Sequence, residues 1–545
     1  MSPARTRFCA AHAVASEAEY KRRRRDAGQL TYHAHLGLSD WPATARALDA
    51  IVAGLGEHGE TLDRFGLCLS RSMGLPAAER AGAAKETGPR LEPADWQAVG
   101  AAPVQAHLGD FMIGTPAGLE NTVHALAAGI TTIGNLGQHF AFEPPGGHDD
   151  AELTGTTVQA LGAMAAHRAR GALVHSYLDD GPAMQFRHYG GYLGWAALEL
   201  YAVEDLIGAR LAHCYGGLVP DPRHRAIVGL ALDELRDRDS LGSMIYGNTV
   251  EYTRDRARNL AVLETSVRTD IATQLHRPTG HAINPVPLSE AERIPDAAEI
   301  LEVQLIAREL EREVRDGGAP LDWAWVERRA VEAADYARAF RDGVLRALRD
   351  AGVDVADAAE LLLALRRSAP AELEARVDVP APRELRALET WKHGVVASVA
   401  ERARRSLPRL DGLRVVLATL EVHDVVRDAL ARELPAAGCQ VIVLPSSVTA
   451  AQVAQVAADE DADVVVLGTY NGGALTLGAE LASALAAAGT HPAVVFGGVL
   501  NEDDGGPLPV DARPGLGALG IHCVDQIEEL GPLLAGPPAL TAPRP

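Results

Sequence analysis

A chain of 545 residues is longer than one hydrophobic core usually organises, so two or three domains are expected. Its composition, 47% hydrophobic and 23% charged, is that of an ordinary globular protein. A net charge of −22 argues against nucleic acid or an anionic membrane as partner, because both are recognised through basic surfaces.

Residues 1–28 read as a charged helical lead-in, in which the basic run from Lys21 to Arg25 follows Glu17 and Glu19 and is expected to be a solvated helix face. Short apolar strands follow at 30–37, 65–71, 104–109, 130–136, 172–177, 209–215, 243–248 and 271–276. Helical stretches rich in Ala and Leu, such as 41–53, 119–128 and 196–207, separate most of them. Eight strand-then-helix units in about 250 residues is the count and length of a (β/α)8 TIM barrel, placed here at residues 29–287. In such a barrel the chemistry sits at the C-terminal rim of the strands. His33, His35, His107, His175, His213 and His276 fall at or near five of those ends, with His139 and His281 in adjacent loops. That convergence predicts a functional role for most of them.

Residues 288–408 change to helix alone, with apolar residues at three- and four-residue spacing over 298–315, 325–351 and 356–366, and read as a connector broken near Pro380 and Pro382. A second α/β pattern fills 409–535, and the Pro-rich tail 536–545 is expected to be disordered. The five cysteines (Cys9, Cys68, Cys214, Cys439, Cys523) form no CxxC pair, which suits a reducing cytoplasm and gives no structural zinc or iron–sulfur motif. No apolar run approaches the roughly 20 residues of a membrane span, so a cytoplasmic protein is expected. The only lysines are Lys21, Lys85 and Lys392; none lies in an apolar strand, which disfavours Schiff-base chemistry.

Three stretches of the C-terminal domain belong together. Val415-Val416-Leu417-Ala418 runs into Glu421-Val422-His423-Asp424; Val464 to Leu467 runs into Gly468-Thr469-Tyr470-Asn471-Gly472-Gly473; and Val494-Val495-Phe496 ends in Gly497-Gly498. In an open parallel sheet, loops at the strand C-termini build the ligand crevice, and glycine pairs let a ligand press on the backbone. The trio resembles the flavodoxin-like (Rossmann-like) cobalamin-binding domain of methionine synthase, methylmalonyl-CoA mutase and the small subunit of glutamate mutase. The resemblance implies that His423 is the lower ligand of the cobalt, with Glu421 within reach to fix its tautomer, that Asp424 is among the cofactor-binding residues, and that Thr469, Gly472, Gly473, Gly497 and Gly498 hold the nucleotide tail. Glu421 stands where the family has Asp, and Val426 where it has Gly.

The barrel segment resembles the large subunit of glutamate (methylaspartate) mutase. The resemblance rests on the Tyr20 to Tyr32 lead-in, Pro103 to Gly109, Thr131 to Asn135, and Arg277-Pro278-Thr279-Gly280-His281-Ala282-Ile283. It implies an adenosylcobalamin-dependent mutase, an isomerase working by radical rearrangement. Substrate would be oriented by His35, Arg71, His107, Asn135, His175, Tyr177, Arg187, His213, Arg277 and His281. Two of the family's carboxylate-gripping arginines become His35 and His107, which histidine does not reproduce. The expected substrate is therefore a small carboxylic or amino acid other than glutamate. No nucleic acid or membrane partner is expected, and a homodimer is left open. Two alternatives stand beside this reading: a cobalamin sensor or carrier without mutase activity, and an amidohydrolase-like barrel binding metal through His33, His35, His175 and His213.

Overall fold

A computed structural model of the protein describes residues 5–80, 88–142, 144, 148–236, 240–318, 321–377, 379–420, 424–446, 448–470, 472–502 and 509–536. Glu421, His423, Asn471, Lys85 and the tail beyond Gly536 lie outside the described residues. The chain divides into two compact units, Met1–Ala141 with His148–Trp391, and Phe142–Gly147 with Lys392–Pro545.

The first unit carries eight parallel strands: β1 (His33–Leu36), β2 (Arg64–Leu67), β3 (Gln105–His107), β4 (Thr132–Gly134), β5 (Leu173–Tyr177), β6 (Leu211–Cys214), β7 (Met244–Tyr246) and β8 (Ala282–Asn284). They form sheets β1-β2-β3, β4-β5-β6 and β7-β8. Single parallel bridges, Leu108 to Ile133, Tyr215 to Ile245 and Tyr32 to Ile283, carry the pairing onward from β3 to β4, from β6 to β7 and from β8 back to β1. Strand neighbours in register share a face, and successive residues alternate faces. His33 pairs with Arg64, His35 with Gly66, Gly66 with His107, and Gly134 with His175, so these side chains share one inner face. The alternate residues Ala34, Phe65, Ala106, Ile133 and Val174 belong to the apolar core shared with the helices.

One predicted strand is a helix. Residues 271–276 end the 21-residue helix Arg256–His276, and the eighth strand is the shorter Ala282–Asn284. Asp255 caps that helix by accepting from the backbone N–H groups of Ala257 and Arg258, and its periodic burial of Leu263, Val267 and Ile271 overrides the strand propensity of its last turn. The connector helices are Ala297–Gly317, Trp323–Asp350 and Ala358–Arg366. Their apolar stripes, including Val303, Ala307, Val326, Ala337 and Phe340, join the first unit's core.

The lead-in differs from its expected character at one position. Lys21, on the helix Glu17–Asp26, is 2% exposed, whereas Arg22 and Arg23 face solvent. Its Nζ donates to the backbone carbonyls of Gly242 and Ser243, the second at 2.9 Å. Burial pulls its pKa well below the ordinary lysine value. Glu17 accepts from Thr132 at 2.7 Å and pairs with Arg64 at 2.9 Å, and Thr6 donates to Gln105 at 2.8 Å. Arg64, Gln105 and Thr132 open their strands and Ser243 immediately precedes β7, so the lead-in covers the N-terminal ends of the strands.

The second unit is an open sheet of β9 (Arg414–Thr419), β10 (Gln440–Val443), β11 (Val464–Thr469), β12 (Ala493–Gly498) and, after the hairpin β13 (Asn501–Glu502) and β14 (Val510–Asp511), β15 (His522–Val524). The order β10-β9-β11-β12-β15 is all parallel and reverses direction beside β9, the doubly wound arrangement. Val416, Ala418, Val465, Leu467 and Phe496 pack on one face, and Val415, Leu417, Val464, Val466 and Val495 on the other. Helices on both faces explain why these strands are apolar throughout. No helix among the described residues is long and apolar enough to cross a membrane.

Candidate functional site

The ligand crevice of a doubly wound sheet opens at the strand C-termini where the order reverses. A cleft of about 430 Å³, counting space open to solvent, lies there in the second unit. Its walls are the ends of β9, β11 and β12 (Thr419, Gly468, Tyr470 and Gly497 among them) and the helices Val425–Ala436 and Ile527–Ala535, through Val426, Arg427, Leu430, Ile527 and Leu530. The lining is mostly apolar, with a few polar groups at the strand ends.

Glycine is required where the backbone forms the wall. Gly498 has φ +106°, and a Cβ there would lie 2.3 Å from the carbonyl oxygen of Thr469; at Gly497 it would come to 3.1 Å of Val524. Gly468 has only the Tyr470 ring within 4 Å of such a Cβ, so its backbone faces the cleft. Thr469 is fully buried and paired with Gly498 at the base of the loop, while Thr419 and Tyr470 are the hydroxyl-bearing residues of the wall. Sequence reasoning missed both, and Arg427 as well; the register of β9 against β11 sets Thr419 beside Gly468, while Tyr470 and Arg427 enter the wall from the loop after β11 and from the helix Val425–Ala436.

Asp424 is held away from solvent by Lys392 at 2.6 Å, with Arg427 at 3.4 Å and Ser446 at 3.5 Å. Arg427 also pairs with Asp428 at 2.6 Å and donates to Ser446 at 2.7 Å. Gly472, at φ +74°, and Gly473 lead into the helix Ala474–Ala487, whose first N–H groups, those of Leu475 and Thr476, donate to Glu502. That carboxylate occupies the helix N-terminus, so the glycine pair shapes the loop and does not present an open anion site.

In the first unit, His33, His35, His107 and His175 come together on the inner face. Ring centroids are 4.8 Å apart for His33 and His35, 5.6 Å for His33 and His107, and 4.5 Å for His107 and His175. His175 Nδ1 meets the Ser243 hydroxyl at 2.7 Å, and Asn284 Nδ2 reaches His35 Nδ1 at 3.4 Å. Both nitrogens of His33 and His107 lack a hydrogen-bond partner among the described residues, although both rings are 0% exposed. Burial, and then the charge of Arg64 and neighbouring imidazoles, hold His107 well below the ordinary histidine range; burial and Arg64 take His35 down to about 3.

Toward the strand C-termini the lining becomes acidic and aromatic. Tyr246 lies 5.3 Å from His35 and is stacked on Tyr177 at 5.6 Å. Burial pushes Asp110, just after β3, up to about 6, and burial with the charge of Glu299 pushes Glu290, after β8, up to about 7. Asp180, after β5, is likewise raised by burial and by Asp110 and Asp179, yet keeps accessible surface, as do His35, Tyr177 and Tyr246. Groups that are surrounded by protein and still accessible line a concavity.

The remaining predicted residues scatter. Asn135 is buried at the end of β4, accepts from the backbone N–H groups of Gly137 and Tyr177, and donates to Asp180 at 3.1 Å. Arg71 starts the helical turn Arg71–Gly74 after β2, and Arg187 is exposed. His213 points to the opposite face from His175, toward the helix Tyr189–Leu200, where its Nε2 meets Glu199 at 3.1 Å. Arg277 and His281 precede β8 at the N-terminal side; Arg277 is paired with Glu234, and His281 packs 5.4 Å from Tyr215. His276 ends its helix, partly exposed and stacked 4.1 Å from Trp323. Among the described residues no group of three or more His, Cys, Asp and Glu side chains has an arrangement that could hold a metal ion. The parity of His213 explains part of this: the histidine set of a metal-dependent barrel is divided between two faces.

Comparison with known proteins bears on the second unit. No curated protein matches the chain. Residues 413–505 match the B12 binding domain family, a span that contains β9 to β12 and three walls of the cleft, so the C-terminal domain is a B12-binding domain and the chain has a cobalamin-dependent function.

Proposed function

We propose that the protein is an adenosylcobalamin-dependent carbon-skeleton isomerase, a mutase related to glutamate mutase, acting on a small carboxylic or amino acid other than glutamate. The observation that carries this reading is the pairing, in one chain, of a B12-binding domain with a unit whose inner face concentrates buried imidazoles. The first unit is read as a (β/α)8 barrel, supported by parallel pairing that returns from β8 to β1.

The cleft fits the group. Thr419, Gly468, Tyr470 and Gly497 offer a backbone-lined wall for the nucleotide tail, and Arg427 a charged edge. His423 is the proposed lower ligand of the cobalt, with Glu421 as the residue that fixes its tautomer, because Asp424 is already engaged by Lys392. Bound adenosylcobalamin supplies radical chemistry, the removal and return of a substrate hydrogen.

This chain's own part is binding and exclusion of water. His33, His35, His107 and His175 present neutral ring nitrogens to the acid, Asn135 fixes the end of β5 through its bond to Tyr177, and Tyr177 and Tyr246 form an aromatic wall. Glutamate is disfavoured because no guanidinium stands at His35 or His107 to grip a second carboxylate bidentately.

Anaerobic addition of adenosylcobalamin with a panel of small acids is expected to give a cob(II)alamin EPR signal for the true substrate. Corrinoid binding without such a signal for any acid would favour a sensor or carrier, and no corrinoid binding would defeat the reading. In the loaded protein His423→Ala is expected to shift the corrinoid absorption spectrum while Glu421→Gln shifts it less.

A further inference from the structure

Rings rest on bare glycine backbone in both units, with different results. In the first, a Cβ at Gly66 would lie 2.7 Å from both His33 Nε2 and His35 Nε2, and His33 is 0% exposed, so the packing there is closed. In the second, the ring of Tyr470 lies over Gly468 and Gly498. A Cβ at Gly468 would come to 3.4 Å of its Cε2, and one at Gly498 to 3.0 Å of its Cζ. This ring nevertheless keeps accessible surface and forms part of the cleft wall.

Strand register shows what the ring borders. Thr419, Gly468, Gly497 and Val524 pair in one row across β9, β11, β12 and β15, and all four line the cleft. The two central members have no side chain, so the row holds a gap two strands wide, on the order of 10 Å. Tyr470 borders this gap without filling it: among the described residues, chain neighbours aside, only Val524 comes within 4 Å of a Cβ at Gly497. One row deeper on the same face stand Leu417 and Val466, and the helices contribute Val426, Leu430, Ile527 and Leu530. None of these six side chains can hydrogen-bond, and the Thr419 hydroxyl is turned to the Gly468 carbonyl at 3.3 Å. A group entering the gap therefore meets apolar side chains, glycine backbone and one aromatic ring.

We propose that Tyr470 is the stacking surface for the aromatic base of a corrinoid's nucleotide tail, so that this domain selects corrinoids carrying such a base and tolerates which base it is. The inference rests on the reading of the cleft as the seat of that tail. Stacking engages the π-face that every heteroaromatic base has, whereas discrimination between bases needs hydrogen bonds at their edges. The apolar gap supplies the first kind of contact and not the second. It also follows that the ring face holds the base and the tyrosine hydroxyl does not.

The test is equilibrium dialysis of the full chain, read by corrinoid absorbance, against cobalamin, its analogue with adenine as lower base, and cobinamide, which has the same macrocycle and no nucleotide. The two base-bearing corrinoids are expected to bind within about threefold of each other, and roughly tenfold or more tighter than cobinamide. Tyr470→Leu is expected to weaken both by about tenfold and leave cobinamide unchanged, while Tyr470→Phe matches the unsubstituted chain. Gly497→Ala, which puts a methyl group into the gap and leaves the ring in place, should lower the same two affinities; circular dichroism checks the folding of all three variants. Four outcomes would each overturn the proposal and leave the cleft as the tail's seat: unchanged or tighter cobalamin binding in Tyr470→Leu, equal losses for cobalamin and cobinamide, failure of Tyr470→Phe to hold the base-bearing corrinoids, or a preference above about tenfold between the two bases. If the unsubstituted chain binds cobalamin and cobinamide alike, the tail has no seat in the cleft, and that reading falls with the proposal.

Discussion

The two units use parallel strands for opposite purposes. In the second, strands such as Val464-Val465-Val466-Leu467 are apolar on both faces, and polar contact with a ligand is confined to loops at the sheet's edge. In the first, strands such as His33-Ala34-His35-Leu36 alternate, with apolar residues outward under the helices and polar ones inward. A sheet covered by helices on both faces has only its edge to offer a ligand. A sheet whose pairing returns to its first strand has an inside as well, and the buried polar groups there are costly enough to need a reason. The difference separates a B12-binding domain, polar only at its edge, from a unit with buried polar side chains on its inner face.

The comparison can be broken most severely at Arg225, which is 0% exposed and pairs with Asp270 at 2.6 Å while donating to the carbonyl oxygens of Val219 and Tyr246. Arg225→Ala leaves a buried carboxylate unpaired and is expected to cost the first unit about 3–5 kcal/mol in denaturant unfolding. Arg402→Ala, which removes the exposed pair with Glu528 in the second unit, is expected to leave the unfolding curve unmoved.

Next come the glycines. Gly498→Ala forces a side chain onto φ +106° and against the Thr469 carbonyl, a strain of about 1–3 kcal/mol, and should abolish corrinoid uptake without touching carboxylate binding. Gly66→Ala should do the converse. If either substitution disables both, the units are less independent in function than their cores suggest.

A smaller, pH-dependent effect is expected at Glu290. Its carboxyl holds its proton up to about pH 7 when folded but ionises near the ordinary 4.5 when unfolded. Stability from this group is therefore fully present below about pH 4.5 and falls as pH rises toward and through 7. Glu290→Gln should raise the thermal midpoint at pH 8 and leave it unchanged at pH 4. Smallest is Lys392→Met, which releases Asp424 and should weaken corrinoid binding only a few-fold, read by absorbance titration.

What could be read from the sequence follows the range of the interactions concerned. Three strands of the second unit, β9, β11 and β12, are apolar runs whose ends were legible to a residue or two, whereas β10 and β15 were not read. His33, His35, His107 and His175 were legible as histidines on strands, but their shared face depends on register, and the same reading could not separate His213, which parity turns outward. The eighth strand was misplaced because Ile271, Ala272 and Thr273 have strand character within a capped helix, while Ala282-Ile283-Asn284 is too short to announce itself. Lys21, Arg64 and Ser243 were invisible as a group: their contacts join residues up to 222 positions apart, and no local pattern encodes that. Thr419 lost to Thr469 for a similar reason, since both end a strand and only the fold decides which faces the cleft.

The lead-in helix has a consequence for traffic. With Glu17 and Lys21 bonded to Thr132, Arg64 and the Ser243 carbonyl, the strands' starting ends are stoppered, and the inner face becomes a blind well. A blind well fills and empties through one opening. That opening is at the C-terminal ends of the strands, where Asp110, Asp180 and Glu290 stand.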